Sequence, residues 1–186
     1  RACVVQIGKE RTLAASCIRK PTEGMEVNSV STHVKETQKV IFELLAADQP
    51  CKDNHPDPKS KFWNWSDKLG ANEKTFPKNK VINRDISHPS MHVNLQACIN
   101  CNLCVRACRE VQSNDVIGMA FRGNKSKVVF DFDDEMGAST CVGCGECVQA
   151  CPTGALMEKS LLDDDGIREV FPDKTVNSLC PYCGVG

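Results

Sequence analysis

Two stretches decide the fold of this sequence, CINCNLCVRAC at residues 98–108 and CVGCGECVQAC at residues 141–151. Both follow the pattern C-x2-C-x2-C-x3-C, and Pro152 follows the second copy directly. The two copies share the spacing of all their cysteines, although most of the residues between the cysteines differ. Such a regular internal repeat predicts that the thiolates of both copies bind metal.

The spacing of the repeat predicts two 4Fe-4S clusters. Two residues between cysteines let a tight loop place three thiolates around one face of a cubane, while the fourth cysteine, on the following helix, reaches the other cluster. We therefore expect each cluster to take three ligands from one copy and one from the other. The predicted ligand sets are Cys98, Cys101, Cys104 and Cys151 for one cluster, and Cys141, Cys144, Cys147 and Cys108 for the other.

Zinc and disulfide bonds are the alternatives for these cysteines. Zinc also binds C-x2-C pairs and would suit an interaction module, but a zinc site closes with four ligands and has no use for three cysteines in one loop. Disulfides would leave one of the 13 cysteines unpaired and would make no use of the spacing. Clustered thiols that bind metal are typical of a reducing compartment, so we expect a cytoplasmic protein.

The composition favours small modules over one large domain. Only 41% of the 186 residues are hydrophobic and 5% are aromatic, and the net charge is -1. A chain with so little net charge has no field to attract nucleic acid or an anionic membrane surface. No stretch reaches the roughly 20 apolar residues that span a bilayer, so we expect no direct membrane insertion.

Both ends of the sequence carry half of a further cysteine motif. Cys3 and Cys17 have 13 residues between them, and Arg1-Ala2-Cys3 resembles the tail of a C-R-x-C turn in a plant-type 2Fe-2S site. Two buried structural thiols are the alternative for this pair. The segment CPYCGVG at residues 180–186 is half of a C-x2-C-x3-C site, or else a small zinc loop or an inert pair. We expect the missing ligands, and the true N-terminus, to lie beyond the sequence.

The rest of the chain reads as an α+β arrangement of short elements. Residues 4–16 predict a hairpin that closes on Cys17, and Ser31 or Thr32 is placed to cap a helix that ends near Asp48. Residues 51–89 are polar and predict a connector anchored by aromatic residues. A second hairpin is predicted from residues 117–121 and 128–132.

The order of these motifs resembles the N-terminal part of the alpha subunit of NAD-linked molybdenum or tungsten formate dehydrogenases. The resemblance rests on CINCNLCVRACREVQ at residues 98–112, GASTC at residues 137–141 and CPYCGVG at residues 180–186. In that family the last motif opens the bis-pterin metal domain. The resemblance therefore implies that Cys180 and Cys183 bind a further 4Fe-4S cluster beside a molybdenum or tungsten bis-pterin, with all catalytic residues downstream of this sequence.

The same resemblance implies a division into four parts and a set of partners. The parts are a partial 2Fe-2S module (1–30), a helix and connector (31–90), a two-cluster ferredoxin-type domain (91–160), and a linker with the start of the molybdopterin domain (161–186). The implied partners are a flavin- and NAD-binding iron–sulfur beta subunit and the remainder of the alpha subunit. The implied function is electron transfer between the formate site and the flavin.

A second resemblance is to iron-only hydrogenases and to the large iron–sulfur subunit of NADH dehydrogenase. Those proteins place a His-Cys3 cluster after the helix, in a D-H-P-x-D-C pattern. Here Gln49 stands in place of the histidine, so we expect residues 48–65 to hold no cluster. We expect Cys51 and His55 to form a solvated loop pair, with a remnant ligand pair of C-x3-H spacing as the alternative. We expect the other histidines to lie in turns or on the surface: His33, His88 and His92.

Overall fold

A computed structural model of the protein describes residues 2–78 and 82–177. The first part of the described chain holds three strands, β1 (Val4–Ile7), β2 (Ala14–Ala15) and β3 (Val27–Asn28). They form a small antiparallel sheet in the order β2-β1-β3. Val4 pairs with Ala15, and Gln6 pairs with Asn28 on the other side of β1. The predicted hairpin is therefore confirmed, and β3 is an addition that its two residues were too few to reveal.

Two helices pack against each other after this sheet. Helix α1 (Thr32–Asp48) begins as predicted, because the Ser31 hydroxyl accepts a hydrogen bond from the Val34 N–H. Helix α2 (Lys61–Leu69) lies in the segment predicted to be a plain connector, so that prediction was wrong there. The ring of Phe42 on α1 stacks on the ring of Phe62 on α2, with centroids 5.6 Å apart. This aromatic contact fixes the connector against α1.

The cysteine repeat lies in a unit built from two short two-stranded sheets and two short helices. The strands are β4 (Met91–Val93) paired with β7 (Leu156–Glu158), and β5 (Ile117–Ala120) paired with β6 (Lys127–Phe130). Helix α3 (Leu103–Arg106) continues into a π-helical turn, Ala107–Val111, and α4 (Glu146–Ala150) follows the second cysteine loop. The hairpin of β5 and β6 confirms the prediction for residues 117–132.

Short 3-10 turns complete the described chain, at Lys52–Asn54, Leu95–Ala97, Gly123–Lys125, Met136–Ala138 and Lys159–Leu161. The connector packs on the unit that carries the repeat, because the Phe62 N–H donates to the Pro152 carbonyl (3.2 Å) and the Arg168 N–H donates to the Pro56 carbonyl (2.8 Å). Among the described residues, no helix combines the length and the apolar character that crossing a bilayer requires.

Candidate iron–sulfur sites

Four cysteines from both copies of the repeat line one pocket, which we call the first pocket. Its cysteines are Cys98, Cys101, Cys104 and Cys151. Cys104 lies on α3, whereas Cys151 ends α4, so the pocket joins the first loop to the second helix. The rest of the lining is largely apolar and includes Leu95, Ile99, Val128, Ala155 and Leu156. This arrangement places four thiols around one largely apolar space.

The other four cysteines of the repeat line the second pocket. They are Cys108, Cys141, Cys144 and Cys147. Cys108 reaches it from the π-helical turn after α3, and Cys147 reaches it from α4. Met91, Val116, Ile117 and Val142 supply apolar walls. The structure thus brings the eight cysteines together in the two sets that their spacing predicts.

Left-handed residues shape the two cysteine loops in the same way. Asn100 and Asn102 have φ angles of 52° and 68°, and Gly143 and Gly145, at the equivalent positions of the second loop, have 70° and 79°. Glycine adopts this conformation freely, and asparagine tolerates it better than most residues. The turns aim a backbone N–H at a sulfur in each loop: Asn100 N lies 3.3 Å from the Cys98 Sγ, and Gly143 N lies 3.4 Å from the Cys141 Sγ.

Several thiols of the pockets lie in surroundings that disfavour charge, namely Cys98, Cys101, Cys104 and Cys147. Burial raises the pKa of Cys104 and of Cys147 to about 12, and that of Cys98 to about 11. Repulsion from the other thiolates adds to this effect, and it includes Cys151 acting on Cys104 and Cys108 acting on Cys147. Bound metal supplies the missing positive charge, because coordination deprotonates a thiol outright.

The residues of both pockets fit 4Fe-4S clusters. Each pocket offers four sulfur ligands, apolar walls and an N–H aimed at sulfur, which are the features that hold such clusters and set their potentials. Across residues 2–78 and 82–177, no three His, Cys, Asp or Glu side chains are placed to hold a single metal ion. A cubane is wider than an ion and needs its ligands spread around it.

The cysteines at the two ends of the chain differ in what can be described. The Sγ atoms of Cys3 and Cys17 lie 3.4 Å apart beside the first sheet. The hydrogen bond from Cys17 lowers the pKa of Cys3. Cys180 and Cys183 lie outside the described residues.

The pair formed by Cys51 and His55 does not behave as predicted. Cys51 is exposed, but His55 is fully buried, so its assignment to a solvated loop was wrong. The Asp57 N–H donates to His55 Nδ1 (3.1 Å), which places the ring proton on Nε2. Burial lowers the pKa of His55 to about 4.

Two further histidines, predicted to lie in turns or on the surface, are buried. His88 does lie in a bend, whereas His92 lies on β4, so the prediction was wrong for His92. His88 and His92 both lie inside the unit that carries the repeat, and neither ring nitrogen of His92 finds a hydrogen-bond partner among the described residues. Their polar sequence neighbours gave no sign of burial, because the chain that covers His88 and His92 comes from residues 136–166. His33 is exposed on α1, as predicted.

Comparison with known families defines the class of module. Residues 97–155 match the family described as a 4Fe-4S dicluster domain. The prediction of an iron–sulfur module is thereby confirmed, and iron–sulfur clusters are the cofactor class of this part of the chain.

The relatives of the chain are oxidoreductases. The NADP-reducing hydrogenase subunit HndD of Solidesulfovibrio fructosivorans is 30% identical over 95% of this chain and 31% of its own length. An NADH-quinone oxidoreductase subunit of Rhizobium meliloti is 28% identical over 100% of this chain and 22% of that protein. A putative formate dehydrogenase of Staphylococcus haemolyticus is 28% identical over 99% of this chain and 22% of that protein. The chain thus spans less than a third of each of these relatives.

A solved structure shares the fold. The crystal structure of an NAD+-reducing NiFe hydrogenase in the H2-reduced state superimposes with a TM-score of 0.73 and 23% identity, over 86% of this chain and 68% of that one. The likeness confirms a small mixed fold of helices and strands. The comparisons confirm the resemblance to a group of enzymes that includes formate dehydrogenases, hydrogenases and NADH dehydrogenases. All three kinds of enzyme are among the relatives.

Proposed function

We propose that this chain is the electron-transfer segment of a formate dehydrogenase alpha subunit. The observation that carries the proposal is the division of eight cysteines into two apolar pockets, each drawing on both copies of the repeat. When bound there, 4Fe-4S clusters accept and donate electrons one at a time. Cys98, Cys101, Cys104 and Cys151 would hold one cluster, and Cys108, Cys141, Cys144 and Cys147 the other.

The residues around the two pockets suit the binding of clusters that transfer electrons. Apolar side chains such as Leu95 and Val116 form part of the pocket walls, and the N–H groups of Asn100 and Gly143 each offset negative charge on one sulfur. A cluster with four cysteine ligands has no open position for a substrate, so a pocket of this kind transfers electrons without binding what is oxidised.

The proposal extends to both ends of the chain and to the four parts expected from the sequence. Cys3 and Cys17 would hold part of a 2Fe-2S cluster, and Cys180 and Cys183 part of a further 4Fe-4S cluster next to a molybdenum or tungsten bis-pterin. Electrons would pass between that formate site and the beta subunit that carries flavin and NAD. The 3.4 Å separation of the Cys3 and Cys17 sulfurs supports the 2Fe-2S assignment. The formate dehydrogenases among the relatives support the assignment of the formate site.

A relay in a hydrogenase or an NADH dehydrogenase is the second candidate, favoured by the similarity to hydrogenase subunit HndD. The two candidates differ in the substrate that reduces the clusters, which is formate for the first and H2 or NADH for the second. We expect formate, added without oxygen to the intact protein, to reduce the clusters within the time of catalysis, as seen by electron paramagnetic resonance. Reduction by H2 or NADH with no response to formate would replace the formate assignment with the second candidate.

A further inference from the structure

The ring of His88 is held in one tautomer. Its Nδ1 accepts hydrogen bonds from the backbone N–H groups of Ser90 and Met91, both at 3.2 Å. In a neutral imidazole one nitrogen accepts and the other carries the hydrogen. The proton of His88 is therefore on Nε2, at the end of the ring that points away from its own backbone turn. The side chain is 7% exposed, so it lies almost wholly inside the protein.

The Nε2 end of this ring lies against the second cysteine loop. A Cβ placed on Gly143 would be 3.7 Å from the His88 Cε1 and 3.8 Å from its Nε2, which is van der Waals contact. Gly143 lies between Cys141 and Cys144, both of which line the second pocket. The Nε2 end of the imidazole thus packs against the loop that carries Cys141 and Cys144.

The chain on both sides of this contact is fixed. The Asp85 carboxylate accepts from the Met136 N–H (2.7 Å), and the Ser87 hydroxyl accepts from the Gly137 N–H (2.8 Å). A Cβ on Gly137 would lie 2.5 Å from the Ser87 carbonyl carbon, so the two backbones touch. These contacts hold residues 85–88 against residues 136–137, next to the second cysteine loop.

The two cysteine loops differ at this position. Asn100 occupies the place in the first loop that Gly143 occupies in the second, and its side-chain amide donates to the Ser126 carbonyl (3.3 Å). The second loop has no side chain there, and the space is taken by His88. The repeat is therefore symmetric in its cysteines but not in the donors that surround them.

We propose that His88 donates a hydrogen bond from Nε2 to a sulfur of the cluster in the second pocket and thereby raises the reduction potential of that cluster alone. The inference rests on the proposed function, since it requires a cluster there. Reduction adds negative charge to the cluster, and a hydrogen bond to a charged acceptor is stronger than one to a neutral acceptor. The donor consequently stabilises the reduced form, and hydrogen bonds to sulfur are a known control on cluster potential.

The substitution His88→Asn tests this role in the intact protein. An asparagine oxygen accepts hydrogen bonds from N–H groups two or three residues ahead, so it replaces Nδ1, but its side chain is too short to replace Nε2. We expect the midpoint potential of the second-pocket cluster to fall by about 59 mV, a tenfold change in its one-electron equilibrium. The first-pocket cluster should keep its potential. His33→Asn, at an exposed position on α1, is the matched control.

A second variant separates the donor from the packing of the ring. In His88→Gln the side-chain amide nitrogen reaches the position of Nε2, so we expect a potential close to that of the wild type. Equal shifts at both clusters, no shift at either, or a glutamine variant as low as the asparagine variant would overturn the proposal. Loss of the second cluster in His88→Asn would do so too, because it assigns His88 a structural role. A wild-type protein without iron and sulfide would refute the proposed function instead.

Discussion

Gln49 Oε1 lies 3.0 Å from His55 Nε2, and both side chains are buried, with 1% and 0% of their surface exposed. Because His55 Nδ1 already accepts from Asp57, its Nε2 is the donor to Gln49. The Gln49 amide nitrogen in turn approaches the Cys98 carbonyl at 3.5 Å. Gln49 therefore links His55 of the connector to the first cysteine loop.

The burial of His55 predicts a specific loss of stability in acid. Unfolded histidine has a pKa near 6.5, whereas the folded value is about 4, so below pH 6.5 the unfolded state binds a proton that the folded state excludes. The free energy of unfolding should fall by about 1.4 kcal/mol for each pH unit between 6.5 and 4. Urea unfolding at pH 7.5 and 5.5 measures this difference. His55→Gln should remove that part of the slope, whereas His33→Asn should keep it; equal slopes in all three proteins would contradict the prediction.

The two pockets predict that the last cysteine of each copy serves the other copy's cluster. Cys108→Ala should perturb the cluster held by Cys141, Cys144 and Cys147, because Cys108 lines that pocket. Cys151→Ala should perturb the first-pocket cluster. Electron paramagnetic resonance of the reduced variants, with iron analysis, shows which signal changes. A Cys108 variant that alters only the cluster of Cys98 would rule out the crossover.

In the assembled enzyme of the proposed function, loss of either cluster should interrupt electron transfer without stopping the chemistry at the formate site. We expect Cys104→Ser and Cys147→Ser to abolish formate-dependent NAD reduction, and largely to spare formate oxidation by a dye that accepts electrons near the pterin. Cys51→Ser is the control, because Cys51 is exposed and lines neither pocket. Parallel loss of both activities with the downstream metal site intact, or of neither, would reject the relay.

Gly137 should tolerate no side chain. In Gly137→Ala the added methyl group would lie 2.5 Å from the Ser87 carbonyl carbon, so one backbone must move. Overpacking of this kind costs about 1–3 kcal/mol in the free energy of unfolding. Gly118→Ala is the control, since its methyl group would meet only Val129 at an ordinary 3.9 Å. Comparable stability of the two variants in urea would show that residues 85–88 and 136–137 are not tightly joined.

The sequence predicted the parts of the fold that depend on local patterns. Helix α1 was found because Ser31 precedes an apolar periodicity, and the hairpin of β5 and β6 because a turn separates two apolar runs. Helix α2 was missed because its nine residues are mostly polar and its packing depends on Phe42, twenty residues earlier in the chain. The site cysteines could be grouped by spacing alone.

The surroundings of the cysteines were less accessible to sequence analysis. His88 and His92 are buried by residues 136–166, a contact that no nearby residue indicates. One signal was available: Asn100 and Asn102 align with Gly143 and Gly145 in the repeat, and exchange between asparagine and glycine is typical of left-handed turns. Because Gly143 has no side chain where Asn100 has one, the same alignment also indicates that only the second loop has space for another side chain, which His88 fills.

The pairing of β4 with β7 has a consequence for how such chains are assembled. Met91 lies opposite Glu158, so the unit that carries both pockets enters and leaves the rest of the chain at one point. Facing residues in an antiparallel pair are only about 4.5–5.5 Å apart, a gap that a single peptide link can nearly close. A segment with adjoining ends can be gained or lost without displacing its neighbours. The unit that carries both pockets therefore has the geometry of an insertable domain. One insertion of its coding sequence would supply the ligands of both clusters together.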